Sequence, residues 1–191
     1  IPRGTMLTAM VLLTAIVLIR FTLVVREQEG VREALAHRAT HDQLTGLINR
    51  QELHVRLSGA LRQRAGPGTV VHFLDLNGFK LVNDRYGHAA GDFVLTEVAR
   101  RLRATARNSD TVARLGGDEF VVVSVSLDDT GAFTDRLRSA VAAPLRYQGH
   151  ELRIGVSIGR ATAASPTDLT SDALLAAADA DMYREKNVTP R

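Results

Sequence analysis

The sequence of 191 residues contains no cysteine, which excludes disulfides and thiolate metal sites. Tryptophan is absent too, and only three tyrosines are available to stack on bases. No strong excess of one charge exists. The formal net charge is +3, and the arginines are spread along helix-favouring segments rather than gathered in one stripe. Nucleic acid is therefore not expected as a partner. The length suits one core of ordinary domain size plus an extension.

The extension is at the N-terminus. From Met6 to Ile19 the chain is uncharged and rich in Leu, Ile, Val, Met and Ala, with no polar face of the kind a surface helix carries. This run is shorter than the ~20 residues of a full membrane span. If Arg20 snorkels to the interface, the span runs from about Gly4 to Val25. We expect residues 1–25 to form a transmembrane segment, truncated because the chain opens on Ile rather than Met. A buried core helix and a signal peptide are the weaker readings. No small-residue cleavage site follows, and an Arg/Glu-rich segment does. Arg20, Arg26 and Arg32 lie on the C-terminal flank against Arg3 on the other, so the positive-inside bias anchors the chain in the cytoplasmic (inner) membrane with everything after Arg26 in the cytoplasm.

Residues 26–39 read as a charged helical stalk, too short to establish a coiled coil by heptads. A sensor would lie upstream of it or in the membrane. Residues 40–191 read as the globular domain. Helices are predicted over Glu52–Arg64, Asp92–Ala106, Phe133–Ala142 and Ser171–Lys186. Strands are predicted over Val70–Leu76, Thr111–Ala113 and Phe120–Val123, with a further hairpin of Leu145–Tyr147 and Leu152–Ile158. Between Leu76 and Asp92 a loop rich in Gly, Asn and Asp is expected. Hairpins mixed with helices point to an α+β fold, a central antiparallel sheet with its helices on one side.

Chemistry concentrates in two places. The pentapeptide Gly116-Gly117-Asp118-Glu119-Phe120 stands between two β-branched runs. Its glycines permit a tight turn bare of side chains, so phosphates can approach the backbone. The carboxylates beside it can hold the divalent cation that phosphates bring. Asp75 closes an apolar strand, where a carboxylate is costly unless paired or bound to metal. The stretch from Asp75 to Asp92 then supplies a lysine, Lys80, an amide, Asn83, and an Asp at a helix start. These are the parts for gripping a nucleoside triphosphate: oxygen ligands for magnesium, donors for phosphate, and an amide with a carboxylate for a base edge.

The segment His41-Asp42-Gln43-Leu44-Thr45-Gly46-Leu47-Ile48-Asn49-Arg50, the run Asp75–Asp92 and the pentapeptide follow one another at a fixed spacing that resembles the GGDEF family of diguanylate cyclases. The resemblance covers Thr40 to Lys186. It implies a palm-like (ferredoxin-like) nucleotidyl cyclase architecture, and condensation of two GTP into cyclic di-GMP with release of two pyrophosphates. It implies that Asp75, the Leu76 carbonyl and Asp118 hold Mg²⁺, with Mn²⁺ as the alternative, and that Asp118 activates the ribose 3′-hydroxyl. Glu119 stands beside it as a second catalytic candidate with no assigned role. Asn83 and Asp92 match the guanine-reading pair, and an Asp accepting from guanine N1 and N2 hydrogens gives a reason for GTP over ATP. Gly116 and Gly117 leave room for the nucleotide, and Lys80 and Lys186 match positions near the phosphates. The tail departs from the family's Lys-x-x-Gly-Arg-Asn: here it reads Lys186-Asn187-Val188-Thr189-Pro190-Arg191.

The resemblance also implies an inhibitory product site. Arg107 and Asp110 would bind cyclic di-GMP, Arg114 would help, and Arg136 or Arg138 would reach in from a second copy. The expected protein is a membrane-anchored homodimer, since each domain would hold one GTP. The alternatives are a non-catalytic GTP or cyclic di-GMP receptor domain of the same fold, and a cyclase for another purine nucleotide.

Overall fold

Two runs dominate the core. Val70–Leu74 and Phe120–Val123 are almost continuously apolar, and a strand apolar on both faces must be covered on both. In the computed structural model, which describes residues 18, 20–21, 38–62, 68–125, 130–164 and 169–188, both strands are covered in this way. The chain divides into two units, residues 1–39 and 40–191, and the second carries the folded domain.

The elements of this domain are α1 (Arg50–Leu61), β1 (Thr69–Asn77), α2 (Phe79–Tyr86), α3 (His88–Thr105), β2 (Thr111–Gly116), β3 (Glu119–Ser124), α4 (Thr130–Ala142), β4 (Leu145–Tyr147), β5 (His150–Leu152), β6 (Gly155–Ala163) and α5 (Ser171–Val188). Strands β2-β3-β1-β6 form a four-stranded sheet in that order, antiparallel at each pairing. Strands β4 and β5 pair as a separate hairpin.

The helices lie on both faces of the sheet, not on one as expected. Val71, Phe73, Val121 and Val123 pack with Leu53 and Leu57 of α1 and Leu174, Ala178 and Met182 of α5. Leu74, Leu76, Phe120 and Val122 pack with Val94, Val98 and Leu102 of α3 and with Leu137 and Val141 of α4. The stretch expected as a loop holds a short helix, α2, whose one buried residue is Val82, too little for any periodicity to show. Gly87, at φ +82°, ends α2 and opens α3. Helix α3 therefore starts a turn earlier than predicted, and Asp92 sits inside it rather than at its cap. The second predicted hairpin is likewise redrawn. Tyr147 pairs with His150, and the strand from Gly155 joins the main sheet beside β1. The expected membrane segment and stalk fall almost wholly outside the described residues; among those described, no helix is long and apolar enough to cross a membrane.

His72, on β1, is fully buried, with its ring edge-on to Phe133 of α4 at 5.2 Å between centroids. Neither ring nitrogen has a hydrogen-bond partner of good geometry. Burial holds its pKa down at about 4, against 6.5 for the free side chain, and the charge of Arg160 acts in the same direction. The unfolded chain thus binds a proton that the folded one refuses. Stability from this group is full above pH 6.5 and declines as pH falls towards 4, by up to about 1.4 kcal/mol per pH unit. His72→Leu should flatten this part of the profile, as read by urea melts between pH 7 and 4. An unchanged slope would show that other groups set it.

Candidate active site at the β1–β3 end of the sheet

The turn between β2 and β3 is made by Gly116 and Gly117 at φ +137° and +53°, which L side chains rarely adopt. A register shift between Arg114 and Gly116 tightens it, and nothing lies within 4 Å of where a Cβ would stand on either glycine. The bend is bare, as the sequence implied. Arg114 fixes it from below. Its Nη1 donates to Asp42 Oδ1 and Oδ2 at 2.9 and 3.0 Å, while Nε and Nη2 donate to the Gly117 carbonyl at 3.1 and 2.7 Å. The Asp42 carboxyl is held below the ordinary carboxylate range: burial opposes the charge, but Thr45 and Arg114 more than offset it. Arg114 thus ties the entry segment to the turn across 72 positions of chain.

Asp118 follows the glycines, and Asp75 lies two residues before the end of the neighbouring strand β1. The Leu76 N–H donates to the Asp118 carbonyl at 3.3 Å, and Asp75 stands opposite Glu119 in the β1–β3 register. The three carboxylates feel one another. Asp118 is pushed above the usual carboxylate range by burial and then by the charge of Asp75, with Lys186 and Arg114 opposing. Glu119 is pushed up by burial and by Asp179, Asp75 and Asp118, against Arg50, whose Nη2 lies 3.7 Å from Oε2. Into this acidic corner α5 brings Lys186, whose Nζ is 2.6 Å from Asp75 Oδ1. The helix runs two residues past Lys186, to Val188. Glu185, beside it, is held bidentately by Arg138 at 2.6 and 3.1 Å.

The donor set suits a hard cation. Asp75 and Asp118 supply carboxylate oxygen, the chain has no cysteine, and the Lys186 ammonium already stands where positive charge is wanted. Among the described residues no preformed group of three or more ligating side chains exists. Two carboxylates that leave remaining positions to phosphate and water match the way Mg²⁺ is usually held with nucleotides.

Asn83 is on α2 and Asp92 on α3, two helices that pack together. The Asn83 amide lies against Gly91, the residue before Asp92. Asp92 is exposed, as is Lys80 on α2. Arg107 and Asp110 lie elsewhere, in the turn after α3. There the Arg107 N–H donates to Asp110 Oδ2 at 2.8 Å, while the Arg107 guanidinium has no partner among the described residues. Both line a groove of about 290 Å³ with His41, Arg56 and Arg103. Arg136 instead lies over the Phe133 ring at 5.3 Å. Reading the sequence missed the Asp42–Arg114 clamp, the Arg50–Glu119 pair and Gly91. All stand in or beside the quoted motifs, but pairing over such separations leaves no local signal.

Comparison with known proteins agrees with this geometry. The family described as "Diguanylate cyclase, GGDEF domain" matches residues 39–189. The chain is 45% identical over 154 residues to the bifunctional diguanylate cyclase/cyclic di-GMP phosphodiesterase MucR of Pseudomonas aeruginosa, covering 78% of this chain and 22% of that protein. The crystal structure of a sensory box/GGDEF family protein from Caulobacter crescentus superposes with TM-score 0.72 at 40% identity, covering 78% of this chain and 99% of that one. The coiled coil and GGDEF domain of DgcB from Caulobacter crescentus, in complex with c-di-GMP, superposes with TM-score 0.79 at 27% identity over 90% of this chain and 93% of that one. The chain spans about a fifth of the length of MucR. With the hairpin, the acidic corner and these matches in agreement, the chain belongs to the GGDEF family of diguanylate cyclase domains.

Proposed function

We propose that this domain binds one GTP and, facing a second copy, condenses two GTP into cyclic di-GMP with release of two pyrophosphates. The observation that carries the reading is the meeting of Asp75 and Asp118 at one end of the sheet, under a bare glycine turn, with Lys186 on Asp75. A Mg²⁺ or Mn²⁺ ion held by Asp75 and Asp118, with the Leu76 carbonyl as the further ligand, would lower the charge barrier to attack on the α-phosphorus. Asp118 is suited to receive a proton, because burial and Asp75 both raise its proton affinity. In the reaction the 3′-oxygen of one GTP bonds to the α-phosphorus of the other. The bond to pyrophosphate breaks and the hydroxyl proton passes to Asp118. Lys186, released from Asp75, can then serve the phosphates, as can Lys80. Asn83 and Asp92 read the guanine.

Anchoring through residues 1–25 in the cytoplasmic membrane, with a dimerising stalk, would raise the effective concentration of the facing domains. Purified protein given Mg²⁺ and either GTP or ATP tests the activity, with products separated by chromatography. Cyclic di-GMP from GTP alone is expected. Tight GTP binding with no product would instead support the receptor reading, which the altered tail after Lys186 favours.

Product inhibition belongs to the same reading. The groove at Arg107 and Asp110 presents a free guanidinium beside Arg56 and Arg103, a setting for the phosphates and guanine of cyclic di-GMP. Arg107→Ala is expected to weaken inhibition by cyclic di-GMP at least tenfold, roughly the worth of one charge-assisted hydrogen bond, with turnover of GTP retained. An inhibition curve identical to wild type removes the site.

A further inference from the structure

Asn83 Oδ1 is buried and has no hydrogen-bond partner, an exception among buried polar atoms that calls for a cause. The cause is Gly91. A Cβ built on Gly91 would stand 1.9 Å from Asn83 Oδ1, 2.9 Å from its Cγ and 3.3 Å from its Nδ2. The amide therefore occupies the space that any other residue at position 91 would fill. Gly91 has no positive φ and sits in the interior of α3, where glycine is otherwise a poor choice. Its own backbone does not need it; the Asn83 amide does.

We propose that Gly91 is a positioning residue for base selection: its bare α-carbon seats the carbonyl end of the Asn83 amide and turns the NH2 end outward. The inference rests on the reading of Asn83 and Asp92 as the base-contacting pair. Seated in this way, Asn83 offers donors, while Asp92, one residue after Gly91, offers only acceptors. A donor beside an acceptor matches guanine, which presents the O6 acceptor and the N1–H and N2–H donors on one edge. Adenine has an amino donor in place of O6 and no N1–H. An amide free to turn over would present its oxygen equally well and lose that distinction. Because the clash at Gly91 is with the end of a side chain and not with backbone, Gly91→Ala displaces the amide without disrupting the helix pair.

The test uses 3′-deoxy-GTP and 3′-deoxy-ATP with Mg²⁺, which lack the attacking hydroxyl, in calorimetric titrations of the full chain. Gly91→Ala is expected to weaken 3′-deoxy-GTP at least tenfold and to cut the preference over 3′-deoxy-ATP by a similar factor, with Tm equal to or above wild type. In an Asn83→Ala background the same change should alter affinity less than twofold. Wild-type affinity and preference in Gly91→Ala overturn the proposal. So does an equal loss with and without Asn83, which would show a structural role. If Asn83→Ala alone binds 3′-deoxy-GTP as wild type does, the base-reading assignment itself falls, a result distinct from the other two.

Discussion

Asp118→Asn is expected to abolish cyclic di-GMP synthesis, by roughly 10³-fold or more, while leaving the fold as stable as wild type or more so. Both halves follow from one environment. The carboxylate is half-buried and stands by Asp75, and both facts raise its proton affinity. Its charged form is therefore disfavoured by folding. Stability from this group falls as pH rises through the carboxylate range, and an uncharged isostere escapes that cost. The proposed chemistry needs that same charge. Losing a carboxylate ligand to the nucleotide's metal forfeits several kcal/mol of transition-state stabilisation, about 1.4 kcal/mol for each tenfold. Steady-state turnover and a thermal melt measure the two halves. A variant that keeps its activity, or loses activity only in step with its Tm, would remove Asp118 from the chemistry. Asp75→Asn should match it in turnover but not in stability, since it also breaks the contact with Lys186.

The largest effect on stability is expected at Gly159. A Cβ there would stand 2.0 Å from Met182 N, 2.1 Å from the Ala178 carbonyl oxygen and 2.6 Å from Met182 Cα. These are backbone atoms of α5, so no rotamer change relieves the overlap. Helix α5 lies directly on β6, and Arg160 N–H to Asp181 Oδ2 at 2.8 Å ties the two together beside the contact. Forcing them apart should cost about 3 kcal/mol, the upper part of the overpacking range. For a chain of this size that is a fall of roughly 6–12 °C in Tm. The displacement would also carry Lys186 away from Asp75. Gly159→Ala should thus lower both Tm and GTP affinity, and adding Met182→Ala should rescue neither, because the clash is with main chain. Full rescue by Met182→Ala would show that side-chain packing alone is at issue.

How much of this was legible in the sequence differs from residue to residue. The glycine turn was, because Gly116 and Gly117 can be placed by conformational demand alone. So were the strand that carries Asp75 and the two that flank Asp118, because runs of β-branched residues need no distant partner to be recognised. The same runs also held the signal that helices cover both faces, since Phe120–Val123 has no polar alternation. Short helix α2 was not legible. Its glycine boundaries read as loop, and Leu81 on it is 71% exposed. Nor could spacing reveal that Arg114 and Arg138 are engaged by Asp42 and Glu185. Arginine in a plausible register looks the same whether its fork is free or bound.

Residue type and order set the composition of the candidate site: which carboxylates, which amide, which glycines, and how they follow one another. Those are matters of residue type and local backbone freedom, which a chain carries wherever it goes. Which residues stand side by side came from the packed fold. Antiparallel pairing of β1 with β3 puts Asp75 across from Glu119. The missing side chain at Gly159 lets α5 come down on β6, and Lys186 reaches Asp75 from that helix. Gly91 leaves the space into which Asn83 turns. Close approach between distant segments is set by packing, and packing is a property of the folded whole.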